Sequence, residues 1–163
     1  MITLHDVPVI AGLSTTLAAL VWAAASDVRR YLIPNRIPVI IAVAYAVAAM
    51  GTPFGAWLAG LATGLAALAA GALLFWRGWT GGGDVKLAAV IALWAGPAHI
   101  SDFALVTSVA GAALAGLMLT PLRRLMPQAA EGPAEGLRQP MPFGVALAAG
   151  GLWVVVLQFA TLA

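Results

Sequence analysis

The chain has 163 residues, 63% of them hydrophobic and only 9% charged, against about 45–50% apolar and roughly 25% charged in an average soluble domain. That balance excludes a soluble globule and a disordered chain, because too little polar surface is available to cover the apolar mass. Eight Lys and Arg against six Asp and Glu form no dense basic stripe, which argues against a nucleic-acid partner, and zero cysteines remove disulfides, thiolate metal sites and thiol nucleophiles.

Six apolar stretches meet or approach the about 20 helical residues needed to cross a hydrocarbon core about 30 Å thick. The first covers residues 7–25. Its Ala23-Ala24-Ala25-Ser26 end resembles a signal-peptide cleavage site, but no basic segment precedes it, it opens on His5 and Asp6, and its apolar run is too long. It therefore reads as a retained span. The second, 37–50, is short. The third, 56–76, carries Gly60 and Gly64, a small-xxx-small pair that predicts close helix packing. The fourth, 85–95, is short as well, and the fifth and sixth cover 103–120 and 143–161. Between these last two, residues 121–142 are polar and rich in Pro and Gly and read as a loop.

Lys and Arg set the orientation. Arg29, Arg30 and Arg36 follow span one, Arg77 and Lys86 flank the start of span four, and Arg123, Arg124 and Arg138 lie between spans five and six. Residues 51–55, residues 96–102 and both termini have none. All basic residues thus fall on one side, which the positive-inside rule makes cytoplasmic. The expectation is an all-α polytopic membrane protein. Residues 1–163 form one six-transmembrane-helix bundle in the lipid bilayer, with both termini external.

Polar groups able to do chemistry are few. His5, Asp6, His99 and Asp102 fall in short outer segments, where interfacial residues are ordinary, and two histidines without an i, i+4 partner do not compose a metal site. Glu131 and Glu135 lie in the polar loop and read as solvated. Asp27 and Asp84 differ, since each sits at the cytoplasmic edge of an apolar span. An aspartate inside a membrane helix costs roughly 2.5–3.5 kcal/mol on insertion scales and marks a functional site by default. Taken singly, each could be an interfacial residue paired with Arg29 or Lys86; two on one face suggest a shared site.

Their flanks carry the signal further. Asp27 stands in Ser26-Asp27-Val28-Arg29-Arg30-Tyr31-Leu32-Ile33-Pro34-Asn35, and Asp84 in Gly81-Gly82-Gly83-Asp84-Val85-Lys86-Leu87. Three glycines before a membrane acid allow another chain to approach it closely, although the same composition serves an ordinary turn between spans. No Gly-Lys-Ser/Thr follows, so a phosphate-binding Walker loop is excluded. Two neighbouring carboxylates cannot both ionise comfortably, and such a pair holds a single proton. The ionised member can take a proton from water as it attacks a peptide carbonyl, while the protonated member donates to the carbonyl oxygen. This chemistry requires neither a metal nor a cofactor.

At these residues the sequence resembles the type IV prepilin peptidases, intramembrane aspartyl proteases of the Gly-x-Gly-Asp type. Gly81-Gly82-Gly83-Asp84 with Val85-Lys86-Leu87 fits their motif, Ser26-Asp27 with Ile33-Pro34-Asn35 matches the segment of their first catalytic aspartate, and Pro142-Phe143-Gly144 resembles their C-terminal Pro-Phe/Tyr-Gly block. The resemblance implies that Asp27 and Asp84 are catalytic and that Gly81, Gly83, Lys86, Pro142, Phe143 and Gly144 belong to the active-site and substrate-binding segments. It implies removal of the basic leader from prepilin or pseudopilin precursors at the cytoplasmic face of the bacterial inner membrane. The chain is most similar in kind to the short peptidases of tight-adherence (Flp-type) systems, which lack the N-terminal domain and methyltransferase activity of long members. Asp84 opens a span, where free N–H groups favour an anion, whereas Asp27 lies near the end of one; on that basis Asp84 is the resting carboxylate and Asp27 holds the proton. Two other readings compete with a protease: a small proton- or cation-coupled transporter using both acids as a relay, and a membrane scaffold whose Gly-rich segment docks a partner.

Overall fold

Inside a bilayer a helix satisfies its backbone polar groups without water, and the computed structural model of this apolar chain is built of helices. It describes residues 4, 6–121 and 141–162. The expectations for His5 and for the polar loop with Arg123, Arg124, Glu131, Glu135 and Arg138 lie outside the described residues.

Five helices follow one another: α1 Asp6–Arg30, α2 Arg36–Ala48, α3 Phe54–Trp76, α4 Gly82–Met118 and α5 Phe143–Leu162. Four of them, α1, α3, α4 and α5, are long and apolar enough to cross a membrane. The 13 residues of α2 reach about 20 Å, less than a hydrocarbon core.

The fourth and fifth apolar stretches, expected as separate spans with a linker at 96–102, belong to one element. Gly96 alone departs from helical geometry inside α4, with φ 54° and ψ −172°. This backbone region is open essentially to glycine, and Pro97 then restarts the helix at a position where its missing N–H is not needed. The chain turns back there. Asp84 and Gly111, on opposite sides of the bend, both lie beside Phe143 at the start of α5. Trp94, just before the bend, accepts a hydrogen bond through its carbonyl from Gln158 near the end of α5 (2.7 Å). The first half of α4 therefore runs parallel to α5 and the second half antiparallel to it.

Close packing rests on missing side chains. A Cβ at Gly60 would sit 2.5 Å from the Leu93 carbonyl oxygen, and one at Gly64 2.4 Å from Leu93 Cδ2, so the expected small-residue seam of α3 lies against α4. On α5, Gly150 meets Phe103 and Thr107 while Gly151 meets Leu20 and Ile91. Leu13, Leu20, Ile37, Ile41, Leu87, Ile91 and Val154 fill the centre. Helix α1 packs on α2 and α5, whereas α3 packs mainly on α4, meets α2 through Trp57 and Tyr45, and buries only Gly60 and Gly64 among its residues. The C-terminal ends of α1 and α3 and the N-terminal ends of α2, α4 and α5 meet at one end of the bundle. Arg29, Arg30, Arg36, Arg77 and Lys86 all belong to those ends.

Candidate active site

Helix α1 stops at Arg30, and the chain makes a tight turn at Tyr31, whose φ of 50° is left-handed. Such a conformation costs a non-glycine residue about 1–3 kcal/mol and persists only where neighbouring contacts impose it. Two hydrogen bonds do so. The Tyr31 N–H donates to the Asp27 carbonyl (2.8 Å), and the Ser26 hydroxyl donates to the Leu32 carbonyl (2.8 Å). Ser26 and Asp27 thus hold the returning segment 31–35 over the end of their own helix. That segment is pinned from the other side by Lys86, whose Nζ donates to Asn35 Oδ1 (2.9 Å).

Asp84 occupies the third position of α4, after the N-cap Gly81 and the helical Gly82 and Gly83. Its carboxyl reaches back to the Gly81 backbone N–H, the reciprocal half of a capping box. The three glycines, which the sequence left open to close approach by another chain or to an ordinary turn, form a cap and the opening of a helix. The physical reason is the side chain of Asp84 itself, which satisfies an N–H that the glycines leave free.

Asp27 and Asp84 line one cleft of about 380 Å³, together with Tyr31, Leu32, Ile33, Pro34, Asn35, Gly81, Gly83 and Met141. Asp27 is buried, with 5% of its surface exposed, and Asp84 is half-buried. The two carboxyls lie close enough to interact electrostatically. Among the described residues, no ion pair joins either acid to Arg29 or Lys86. A second cleft of about 570 Å³ shares Gly81, Asp84 and Met141 and adds Leu74, Gly78, Trp79, Thr80 and Phe143. Its wall is largely apolar, and Arg77 lies 5.8 Å from the Trp79 ring at its rim.

Other residues singled out from the sequence fall in distinct places. Gly81 and Gly83 line the cleft beside the acids, and Phe143 lines its apolar neighbour. Pro142 is fully buried. Lys86 is outside the cleft wall and acts on it only through Asn35. Gly144 lies against Asp27: a Cβ there would be 2.8 Å from Asp27 Oδ2 and 2.8 Å from Ile33 Cδ1. The first turn of α5, at Gly144 and Val145, thus lies beside the Asp27 carboxyl, and the Val145 N–H donates to the Pro142 carbonyl (3.2 Å). Asp27 therefore faces a helix N-terminus just as Asp84 does, and the asymmetry expected from helix ends in the sequence disappears. Ser26, Tyr31 and Met141 were not among the expected site residues; the Ser26-Asp27 pair was visible, but the Ser26 bond to Leu32 depends on the turn at Tyr31. His99 and Asp102, the expected outer residues, pair at 3.2 Å just beyond the bend in α4, near the opposite end of the bundle from the acids.

A cleft with two neighbouring carboxyls, one apolar wall and one peptide-lined wall can hold an extended backbone and deliver water and a proton to it. The family model described as the type IV leader peptidase family matches residues 14–116, which include both aspartates. The Prepilin leader peptidase/N-methyltransferase of Bacillus subtilis (strain 168) is 35% identical over 139 residues, 83% of this chain and 51% of that protein. The chain thus spans about half the length of this curated relative. No solved structure matches. From the match over most of its length, and from the relative's identity, the chain belongs to the type IV leader peptidase family.

Proposed function

We propose that the protein is an intramembrane aspartic endopeptidase that removes the basic leader from prepilin or pseudopilin precursors, with Asp27 and Asp84 as its catalytic pair. The observation that carries this reading is the shared cleft: two acids from distant parts of an apolar chain open on one cavity, and among the described residues neither is in an ion pair. One carboxylate accepts a proton from the attacking water. The other, protonated, donates to the scissile carbonyl oxygen as the tetrahedral intermediate forms. The roles of donor and acceptor belong to the pair rather than to one residue.

Clustering of Arg29, Arg30, Arg36, Arg77 and Lys86 at the acid end supports a cytoplasmic cleft in the bacterial inner membrane. We read the bundle as six crossings, with α2 counted as a short one and the two arms of α4 counted separately. Precursors of the Flp type are the first substrates to test. Purified protein in detergent, given a synthetic precursor peptide, should release the leader, and Asp27→Asn and Asp84→Asn should each abolish release while leaving insertion and folding intact. Asn keeps the size and hydrogen bonding of Asp but cannot carry the shared proton. Full activity in Asp84→Asn would overturn the assignment, and would leave the acids as structural groups or as a transport relay.

A further inference from the structure

We propose that the N-terminus of α5 is a positioning element for Asp27, and that residue 144 must be glycine because the carboxyl lies where a Cβ would stand. This rests on the catalytic reading of Asp27 and adds a role for a segment far from both acids in sequence. Three observations converge. Asp27 is 5% exposed, and its Oδ2 makes no hydrogen bond to any described residue. The first turn of α5, at Gly144 and Val145, lies beside the same carboxyl. A Cβ at Gly144 would approach Oδ2 to 2.8 Å and the carboxyl carbon to 3.0 Å, closer than a side chain can stand.

The geometry divides the labour on one carboxyl. The first turn of α5 and Ile33 enclose Oδ2, so the carboxyl meets the cleft through its other oxygen. Buried Pro142 fixes where α5 begins and hence where that turn lies. A displacement of about 1 Å in such a site costs roughly a hundredfold in rate.

A Cβ at residue 144 would meet two neighbours, Asp27 Oδ2 and Ile33 Cδ1, and they can be separated. Ile33→Val removes Cδ1 and leaves Asp27 in place. We expect Gly144→Ala to lower kcat on a precursor peptide by about ten- to a hundredfold with KM nearly unchanged. The double variant Ile33→Val/Gly144→Ala should stay as far below Ile33→Val as Gly144→Ala is below the parent. Recovery in the double variant would mean that the glycine only makes room for Ile33, and would overturn the proposal; so would an unimpaired Gly144→Ala.

A second measurement does not depend on either variant folding. In the parent protein labelled with 15N-glycine and 15N-valine, the Gly144 and Val145 amide signals should move with the titration of Asp27 and stop moving in Asp27→Asn. Asp84, the other carboxyl on the cleft, and the Tyr31 phenol are the neighbouring titratable groups, and Asp84→Asn identifies the former's share. Amide signals indifferent to Asp27 would overturn the proposal. Absence of leader release by the parent protein would instead defeat the protease reading, and the amide signals would still report whether the contact exists.

Discussion

A side chain at Gly83 would grow toward Ile33: its Cβ would stand 3.3 Å from Ile33 Cβ and 3.6 Å from the Ile33 carbonyl oxygen. The backbone there is ordinary helix, so the position asks for space and not for a special conformation. Gly82, one residue earlier, would meet only the edge of the Phe75 ring, at 3.4 Å. Gly83→Val should therefore push the 31–35 segment off the acids and cut the leader-release rate by about tenfold or more, whereas Gly82→Ala should remain near the parent; rates at matched protein levels check both. The sequence showed only that the three glycines let another chain approach the acid, and in the structure the neighbour beside Gly83 is Ile33. The two aspartates were legible because charged residues in apolar spans stand out. The contact of Gly144 with Asp27 was not, since it joins opposite ends of the chain and glycine leaves no side chain whose chemistry could suggest a partner.

At the scale of elements, apolar length and composition located every helix, while boundaries followed local chemistry that length does not encode. Helix α4 begins at Gly82 because Asp84 caps it, and continues past Ala95 because a single glycine can turn the chain without a loop. The bend makes a sharp requirement. Gly96→Ala would place a side chain at a φ of 54°, at a cost of about 1–3 kcal/mol, and should lower the melting midpoint in detergent. Gly55→Ala is the control. Nothing lies within 4 Å of a Cβ there, and in a helix that exchange is favourable by up to about 1 kcal/mol. A midpoint for Gly96→Ala equal to that of Gly55→Ala would mean that the turn adapts to other backbone angles.

For the whole molecule, the distribution of Lys and Arg bears on orientation and the packing bears on assembly. If the basic end faces the cytoplasm, reporter fusions after Arg36, Gly78 and Gly136 should read cytoplasmic, and those at Gly55, His99 and Ala163 external. An external reading after Gly136 would break the six-crossing arrangement. Charge asymmetry was plain in the sequence because it needs only counting. The way α4 folds back against α5 was not, because it depends on which glycines meet which side chains: Gly111 with Phe143, Gly150 with Phe103, Gly151 with Ile91.

The seating of Asp27 against the first turn of α5 has a consequence for biosynthesis. Ribosomes deliver this chain from its N-terminus, so both acids enter the membrane well before Gly144 and Val145 are made. Until α5 is inserted, Asp27 lacks the helix turn that lies against it, and the wall contributed by Met141 is missing from the cleft. A nascent chain that carries both carboxyls is therefore still without part of the cleft they share. Insertion of α5, rather than arrival of the second acid, is the step at which the described walls of the cleft come together.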